Sequence, residues 1–459
     1  MQSELPILRR PAVDARLASR GGPTDPSHDA RLRRGILATD VSRAMAAAMV
    51  ALFCLLIYGV PVSQAVLEKA KGDDSVLPEL FRHFPTKESL RQFEDDVDQA
   101  SYAKDFTQPR MQEILTRYGR VGNKRAVVGL EGWLYYRPGI AFVGGPGFLD
   151  ADTLASREKA ALDSGDSAIH PDPRPAIFAF HDALAKRGIP LVVFPVPDKA
   201  MLEAMHLHGR RDGTTPAPPE RGRGSKDADA LPVARNIDWS QFLSEMQAHG
   251  VVIFDPTPAV IQREEEARFL VQDTHWTPEW MEEVAGSLAA FVTRAARLSP
   301  LESAPVLGSV AQKVSTLGDV AVMLKLPENQ TIFTPQEVTI HAVRDGAGEP
   351  WQADPKGDVL LLGDSFTNVF SMEPMGWGTA AGLGAQLSRS LGRGVDVIAQ
   401  NDSGAFATRE ALARALGAGE DRLAGKKVVI WEFASRELSV GDWKPVDWTV
   451  ADAARAAPR

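Results

Sequence analysis

The chain has 459 residues, 44% hydrophobic and 24% charged, with a formal net charge of −9. That length and apolar content suit one large or two ordinary domains with a full core, and they exclude a disordered polymer. The acidic balance excludes non-specific attraction to nucleic acid, so no nucleic-acid partner is expected.

Residues 1–43 are rich in Pro, Gly and Arg, with eight Arg against five acidic residues, and are expected to form a disordered cytoplasmic tail. Ala44 to Leu67 carries no charge. A helix of that length spans a bilayer of about 30 Å at about 1.5 Å per residue, so 44–67 is expected to be a transmembrane signal-anchor. Arg31, Arg33, Arg34 and Arg43 precede it, which keeps the N-terminus cytoplasmic and sends everything after residue 67 to the other side. Ser63-Gln64-Ala65 resembles a small-residue cleavage site, so a cleaved signal peptide is the alternative. The long leading tail and long apolar run favour an uncleaved anchor. Cys54 is the only cysteine, which excludes an intramolecular disulfide, a thiolate metal cluster and a Cys nucleophile beyond the anchor. The bulky Phe53 before it argues against a lipoprotein signal.

Residues 68–125 are mixed in charge and helical in pattern, a stalk leading into a main domain over 126–445. Ala126 to Gly129 and Gly132 to Tyr136 suggest an aromatic hairpin. Helix and strand then alternate: a helix from Ala176 to Arg187, a strand at 190–195, a helix from Ser240 to His249 and a strand at 251–254. Between them, 206–235 is rich in Gly, Pro and charge and is expected to be a mobile loop. Thr277-Pro278-Glu279 is a helix start, with Thr as cap and Pro in the first turn, of a helix reaching about Arg297. Residues 299–357 look less regular, with short strands. Further strands are expected at 358–362, 395–399 and 427–431, helices at 377–392 and 408–418, and a short tail at 446–459. The pattern predicts an α/β fold, a parallel sheet with helices on both faces.

In such folds ligands bind beyond the carboxyl ends of the strands. Chemistry-bearing residues fall at those ends: Asp198 and Lys199, Asp255, Asp364 and Ser365, Asn401 and Asp402, Glu432. Ser365 follows the apolar run Asp358 to Leu362, a position that suits a nucleophile, and a Ser hydroxyl needs a base and an orienting carboxylate. Asp273 and His275 supply that pair; in an extended segment their side chains would project to one side. The backbone N–H of Ser365, with Asn401 or Ser403, could stabilise an oxyanion. Lys199 and Arg409 are candidates for contacting an acidic substrate or holding a loop, and Trp276, Trp377 or Tyr135 for stacking on a sugar. No metal is expected, because Asp273 and His275 have no further ligands nearby and His206 and His208 border the loop. No organic cofactor is called for.

With these residues in place the chain resembles the AlgJ/AlgX-like polysaccharide O-acetyltransferases, relatives of the SGNH hydrolases. The matching elements are Gly132-Trp133-Leu134-Tyr135, Val196-Pro197-Asp198-Lys199, Asp273-Thr274-His275-Trp276, Gly318 to Leu324, Gly363-Asp364-Ser365-Phe366 and Trp431 to Arg436. The resemblance implies an SGNH-like fold and a periplasmic enzyme, tethered to a bacterial inner membrane, that acetylates hydroxyls of an exopolysaccharide such as alginate or acetylated cellulose. It implies Ser365 as nucleophile, His275 as base and Asp273 as orienting acid. It also implies a membrane-bound O-acyltransferase donor within an exopolysaccharide synthesis complex. Asp273 and His275 precede the Ser, unlike the order of ordinary SGNH hydrolases. A carbohydrate acetylesterase with the same triad and a non-catalytic polysaccharide-binding scaffold are the competing functions.

Overall fold

The computed structural model describes residues 42–74, 76, 84, 86–164, 168–208, 233–260 and 267–449. The tail 1–43 and the loop 206–235 thus fall almost wholly outside the described residues. The chain divides into two units, 1–106 and 107–459. The first contains a 29-residue helix, Arg43–Lys71, long and apolar enough to cross a membrane, with a π-helical stretch at Leu55–Gly59. Ser42 caps its start, and Gly72, at a φ of 80°, ends it in the left-handed conformation that glycine adopts without strain. A second helix, Lys87–Ala100, opens on a Thr86–Ser89 capping box.

In the second unit, β1 (Ala126–Val128) and β2 (Leu134–Tyr136) pair antiparallel, as the hairpin expectation had it. β3 (Leu191–Val196) and β4 (Val252–Ile253) follow. β5 (Gly308–Thr316) and β6 (Gln336–Arg344) form a two-stranded antiparallel sheet of their own. Each has nine residues, so this region is more regular than its sequence suggests. β7 (Val359–Gly363), β8 (Val395–Ala399) and β9 (Val428–Ala434) join β3 and β4 in a five-stranded parallel sheet of order β4-β3-β9-β7-β8.

Alternate residues of the central strands enter separate cores, as the two-residue period of a strand requires. Val359, Leu361, Val428 and Ile430 pack with the helices Pro278–Ala295 and Leu383–Leu391. Leu360, Leu362, Val429 and Trp431 pack with the helices Pro173–Lys186, Trp239–Ala248 and Ala407–Gly417. Parallel strands buried on both faces read as unbroken apolar runs, which is why β3, β7 and β9 stand out in the sequence. The carboxyl ends of β3, β7 and β9 then bring Asp198, Asp364 and Glu432 to one edge.

Candidate active site

Asp273 and His275 lie in a tight loop rather than the extended segment expected. Leu270 N–H donates to His275 O at 3.0 Å and Thr277 N–H to Arg268 O at 2.8 Å, with a bridge between Phe269 and Trp276 closing the turn. Within it the Asp273 carboxylate accepts from His275 N–H at 3.0 Å and meets His275 Nδ1 at 2.6 Å, both through Oδ1. A short acidic side chain bonding the backbone two residues on is an Asx turn, and it sets the ring's orientation. The other oxygen, Oδ2, accepts from Asp319 N–H at 3.0 Å and from Trp377 Nε1–H at 2.9 Å.

The loop is clamped on two further sides. Lys199, buried, shares its ammonium protons among the carbonyls of Leu134, Leu270, Val271 and Asp273 at 2.7–3.0 Å. Thr274 donates from N–H and Oγ1–H to Asp319, both at 2.7 Å. Gly318 approaches so closely that a Cβ there would lie 2.3 Å from the carbonyl of Gln272.

These contacts fix the electrostatics. Burial works against ionising Asp273, but the charge and hydrogen bond of His275, with the two backbone N–H groups, hold its pKa well below the ordinary value. His275 is raised: burial opposes its charge, and the charge and hydrogen bond of Asp273 outweigh that, with Asp319 adding to them. Asp319 itself is pushed up to about 6 by burial and by the neighbouring Asp273 charge. Asp273, His275 and Asp319 are close enough to make a candidate set of metal ligands, a proximity the sequence conceals. The imidazole nitrogen facing both carboxylates is the one hydrogen-bonded to Asp273, and both oxygens of Asp319 are engaged by Thr274. This donor set is organised as a hydrogen-bonded acid–imidazole network.

Ser365 begins a short helix, Ser365–Asn368, directly after β7, where its N–H has no intrahelical carbonyl to meet. Asp364 caps that helix through Phe366 N–H at 2.8 Å and also accepts from Ala434 N–H at 2.8 Å, tying β7 to β9. Beneath it Glu432 accepts from Asp364 N–H at 3.0 Å and from Thr367 Oγ1–H at 2.6 Å. Burial and the Asp364 charge push Glu432 well above the usual carboxylate range. Phe366 links the two halves of the site: its ring stands edge-on to His275 at 4.8 Å and to Trp276 at 5.3 Å. The Arg436 guanidinium lies 5.6 Å from its centre. The second nitrogen of His275, Nε2, is buried and has no hydrogen-bond partner among the described residues, so no bond joins it to the Ser365 hydroxyl here.

Comparison with known families bears on these same segments. The family described as "SGNH hydrolase-like domain, acetyltransferase AlgX" matches residues 126–435. The chain belongs to this family. Two solved structures are among those that the chain is similar to. The O-acetyltransferase domain of Pseudomonas putida AlgJ is 21% identical with a TM-score of 0.48, over 72% of this chain and 99% of that one. Pseudomonas aeruginosa AlgX is 17% identical with a TM-score of 0.46, over 72% of this chain and 66% of that one. No curated protein matches the chain.

In this AlgX-family chain several expected ligand contacts are structural. Lys199 is buried under the Asp273 loop, its pKa brought down to about 7 by burial, so it props the loop and meets no solvent-borne substrate. Arg409 is no part of this site: it is buried against Trp431 on the sheet face opposite Phe366, bonded to the carbonyls of Ala405 and Lys444. Trp276 is fully buried because the turn aims it into the core against Phe194, Trp280 and Phe366. Trp377 and Tyr135 are buried too, and their polar atoms donate to Asp273 and to Glu203 O. None of the three can stack on a sugar.

Asn401 is exposed and accepts from Asn368 Nδ2–H at 2.7 Å, so it flanks the Ser365 helix. Ser403 is exposed in a left-handed conformation at a φ of 57°, and Gly404 beside it packs against Asp364. Arg436, left ambiguous by the sequence, is held by Asp198 through its side chain at 2.8 Å and its N–H at 2.7 Å.

Two expected results follow from this packing. Replacing Trp377 by Phe removes one of four donors to Asp273. It is expected to cost about 1.5–3 kcal/mol in denaturant unfolding, the range for a hydrogen bond to a charged group. Gly363→Ala is expected to cost about 1–3 kcal/mol by overpacking. Its Cβ would lie 2.1 Å from Thr367 Oγ1 and 2.9 Å from Glu432 Oε2, so thermal unfolding should fall and Ser365 should shift with its helix.

Proposed function

We propose that this chain is an exopolysaccharide O-acetyltransferase working through an acetyl-serine at Ser365, with His275 as base and Asp273 as orienting acid. The observation that carries the reading is the Asp273–His275 pair. One imidazole nitrogen is bonded to the carboxylate, and the other is unpartnered beside the ring of the residue that follows Ser365. Nucleophile–base bonds are often loose until a substrate binds, so an unpartnered Nε2 suits this role.

In the first half-reaction Ser365 Oγ attacks the acetyl carbonyl of a donor ester while its proton passes to His275 Nε2. The carbonyl oxygen gains the negative charge, which the Ser365 N–H can stabilise. Collapse expels the donor alcohol, which takes the proton from His275 and leaves acetyl-Ser365. A sugar hydroxyl then gives its proton to His275, attacks the acetyl carbon and departs as the ester, and the proton returns to Ser365. Asp273 stays ionised throughout, holding Nδ1–H and balancing the imidazolium.

The apolar helix Arg43–Lys71, with Arg residues before it, supports a single-pass inner-membrane anchor with the catalytic unit in the periplasm. On this reading residues 1–43 lie in the cytoplasm, 68–125 form a stalk and a membrane-bound O-acyltransferase is the donor. The polymer is of the alginate or acetylated-cellulose type.

The test is to incubate the protein with an acetyl ester, with and without oligosaccharide, and to look for acetylated sugar by mass spectrometry. Acetylated sugar that depends on Ser365 supports transfer. Free acetate alone in both tubes would make it an esterase. Failure of a serine-directed probe to label the protein would leave a binding scaffold.

A further inference from the structure

On the sheet face opposite Phe366 and Trp276 lies a cavity of about 490 Å³, a size typical of small-ligand sites. Its walls are mainly apolar and stiff: Ile169, Pro171, Ala176, Trp443, Pro445 and Val446. Arg409, on the helix Ala407–Gly417, also lines it. Its Nε and Nη2 donate to Ala405 O at 3.1 and 2.7 Å and its Nη2 to Lys444 O at 3.1 Å, with the Trp431 ring 4.9 Å from its guanidinium carbon. Nη1 has no partner among the described residues.

A fully buried guanidinium is ordinarily paired with a carboxylate, because removing its charge from water costs several kcal/mol. Among the described residues Arg409 makes no ion pair, its guanidinium meeting only backbone carbonyls, and burial brings its pKa down to about 10. The other titratable groups of the cavity do not supply the partner. Asp172 is committed to Arg174 at 2.7 Å, His170 lies 3.5 Å from Asp442, and Glu158 is exposed.

We propose that this cavity is a second ligand site, binding an amphiphilic monocarboxylate whose carboxylate pairs with Arg409 and whose hydrocarbon body lies against the proline and tryptophan walls. One unmatched positive charge, with Asp172 and Glu158 also on the rim, selects a single negative charge over a phosphate or a polyanion. The site is independent of the transferase chemistry and stands or falls separately from it.

The test uses the full-length protein in detergent, titrated with hexanoate and, in parallel, with hexanamide, its uncharged isostere. Thermal unfolding and calorimetric titration are the readouts, since a ligand that binds only the folded state raises the unfolding temperature. Hexanoate is expected to bind and to raise that temperature, with hexanamide at least tenfold weaker. Arg409→Met should remove the discrimination between them. Ala179→Trp, at an exposed wall position that tolerates bulk, should weaken hexanoate at least tenfold even if Arg409→Met fails to fold. Equal binding of acid and amide, hexanoate binding unchanged by Ala179→Trp, or no hexanoate binding would each overturn the proposal.

Discussion

Ser365→Ala is expected to lower acetyl transfer by about 10⁶-fold, the scale seen when the nucleophile of a working triad is deleted. The loss should appear in kcat with little change in KM, because the hydroxyl is used only once the donor is seated. Stability should hardly move: Ser365 is half-buried at a helix start, and the capping of that helix is done by Asp364. That separation makes the variant informative, since a folded protein with no transfer isolates the chemistry. A sulfonyl fluoride probe should label the parent and leave the variant unlabelled. Transfer within tenfold of the parent would remove Ser365 from the mechanism, whatever the fate of the fold.

The sheet was legible because parallel strands leave a crude signal. β3, β7 and β9 are buried on both faces, so Leu191 to Val196, Val359 to Leu362 and Val428 to Ala434 are nearly continuous apolar runs. β5 was not legible for the converse reason: most of Gly308–Thr316 faces solvent, so no apolar alternation marks it. The pair Asp273 and His275 could be read because its bond is local, two positions apart. Its supports could not. Trp377 is 104 positions from Asp273 and Asp319 is 46, and neither spacing carries a sequence pattern.

Lys199 and Trp276 misled for a shared reason. A charged or aromatic residue beside a candidate site invites a ligand contact, and burial, which sequence does not report, decides otherwise. Glycines were the overlooked clue. Gly318 and Gly363 mark places where the backbone passes too close to a functional side chain or loop for any Cβ.

Asp273→Asn is expected to cost about 10⁴-fold in kcat, and the hydrogen-bond inventory gives the reason. The carboxylate accepts on both oxygens: from His275 N–H and Nδ1–H on one side, from Asp319 N–H and Trp377 Nε1–H on the other. An amide has one acceptor oxygen and one donor nitrogen. Turned to satisfy Asp319 and Trp377, it presents N–H to the imidazole and forces the proton onto Nε2, where no base remains to receive the proton of Ser365. Turned the other way, it opposes two donors and costs about 1–3 kcal/mol.

The pH profile carries a second signature. His275 must be neutral to act as base, and its pKa is raised above the ordinary 6.5, so the rising limb of activity should sit above that pH in the parent. Removing the Asp273 charge leaves burial as the stronger influence and moves the residual limb to lower pH, with Asp319 opposing part of the shift. Stability follows the same signs. The depressed pKa of Asp273 contributes above the ordinary carboxylate range and is lost as pH falls through the folded value. The raised pKa of His275 contributes below about 6.5 and is lost as pH rises through the folded value. The parent should therefore lose unfolding free energy on both flanks, and Asp273→Asn should flatten both. A variant with full activity, or with the parent's pH limb, would mean that Asp273 does not orient this imidazole.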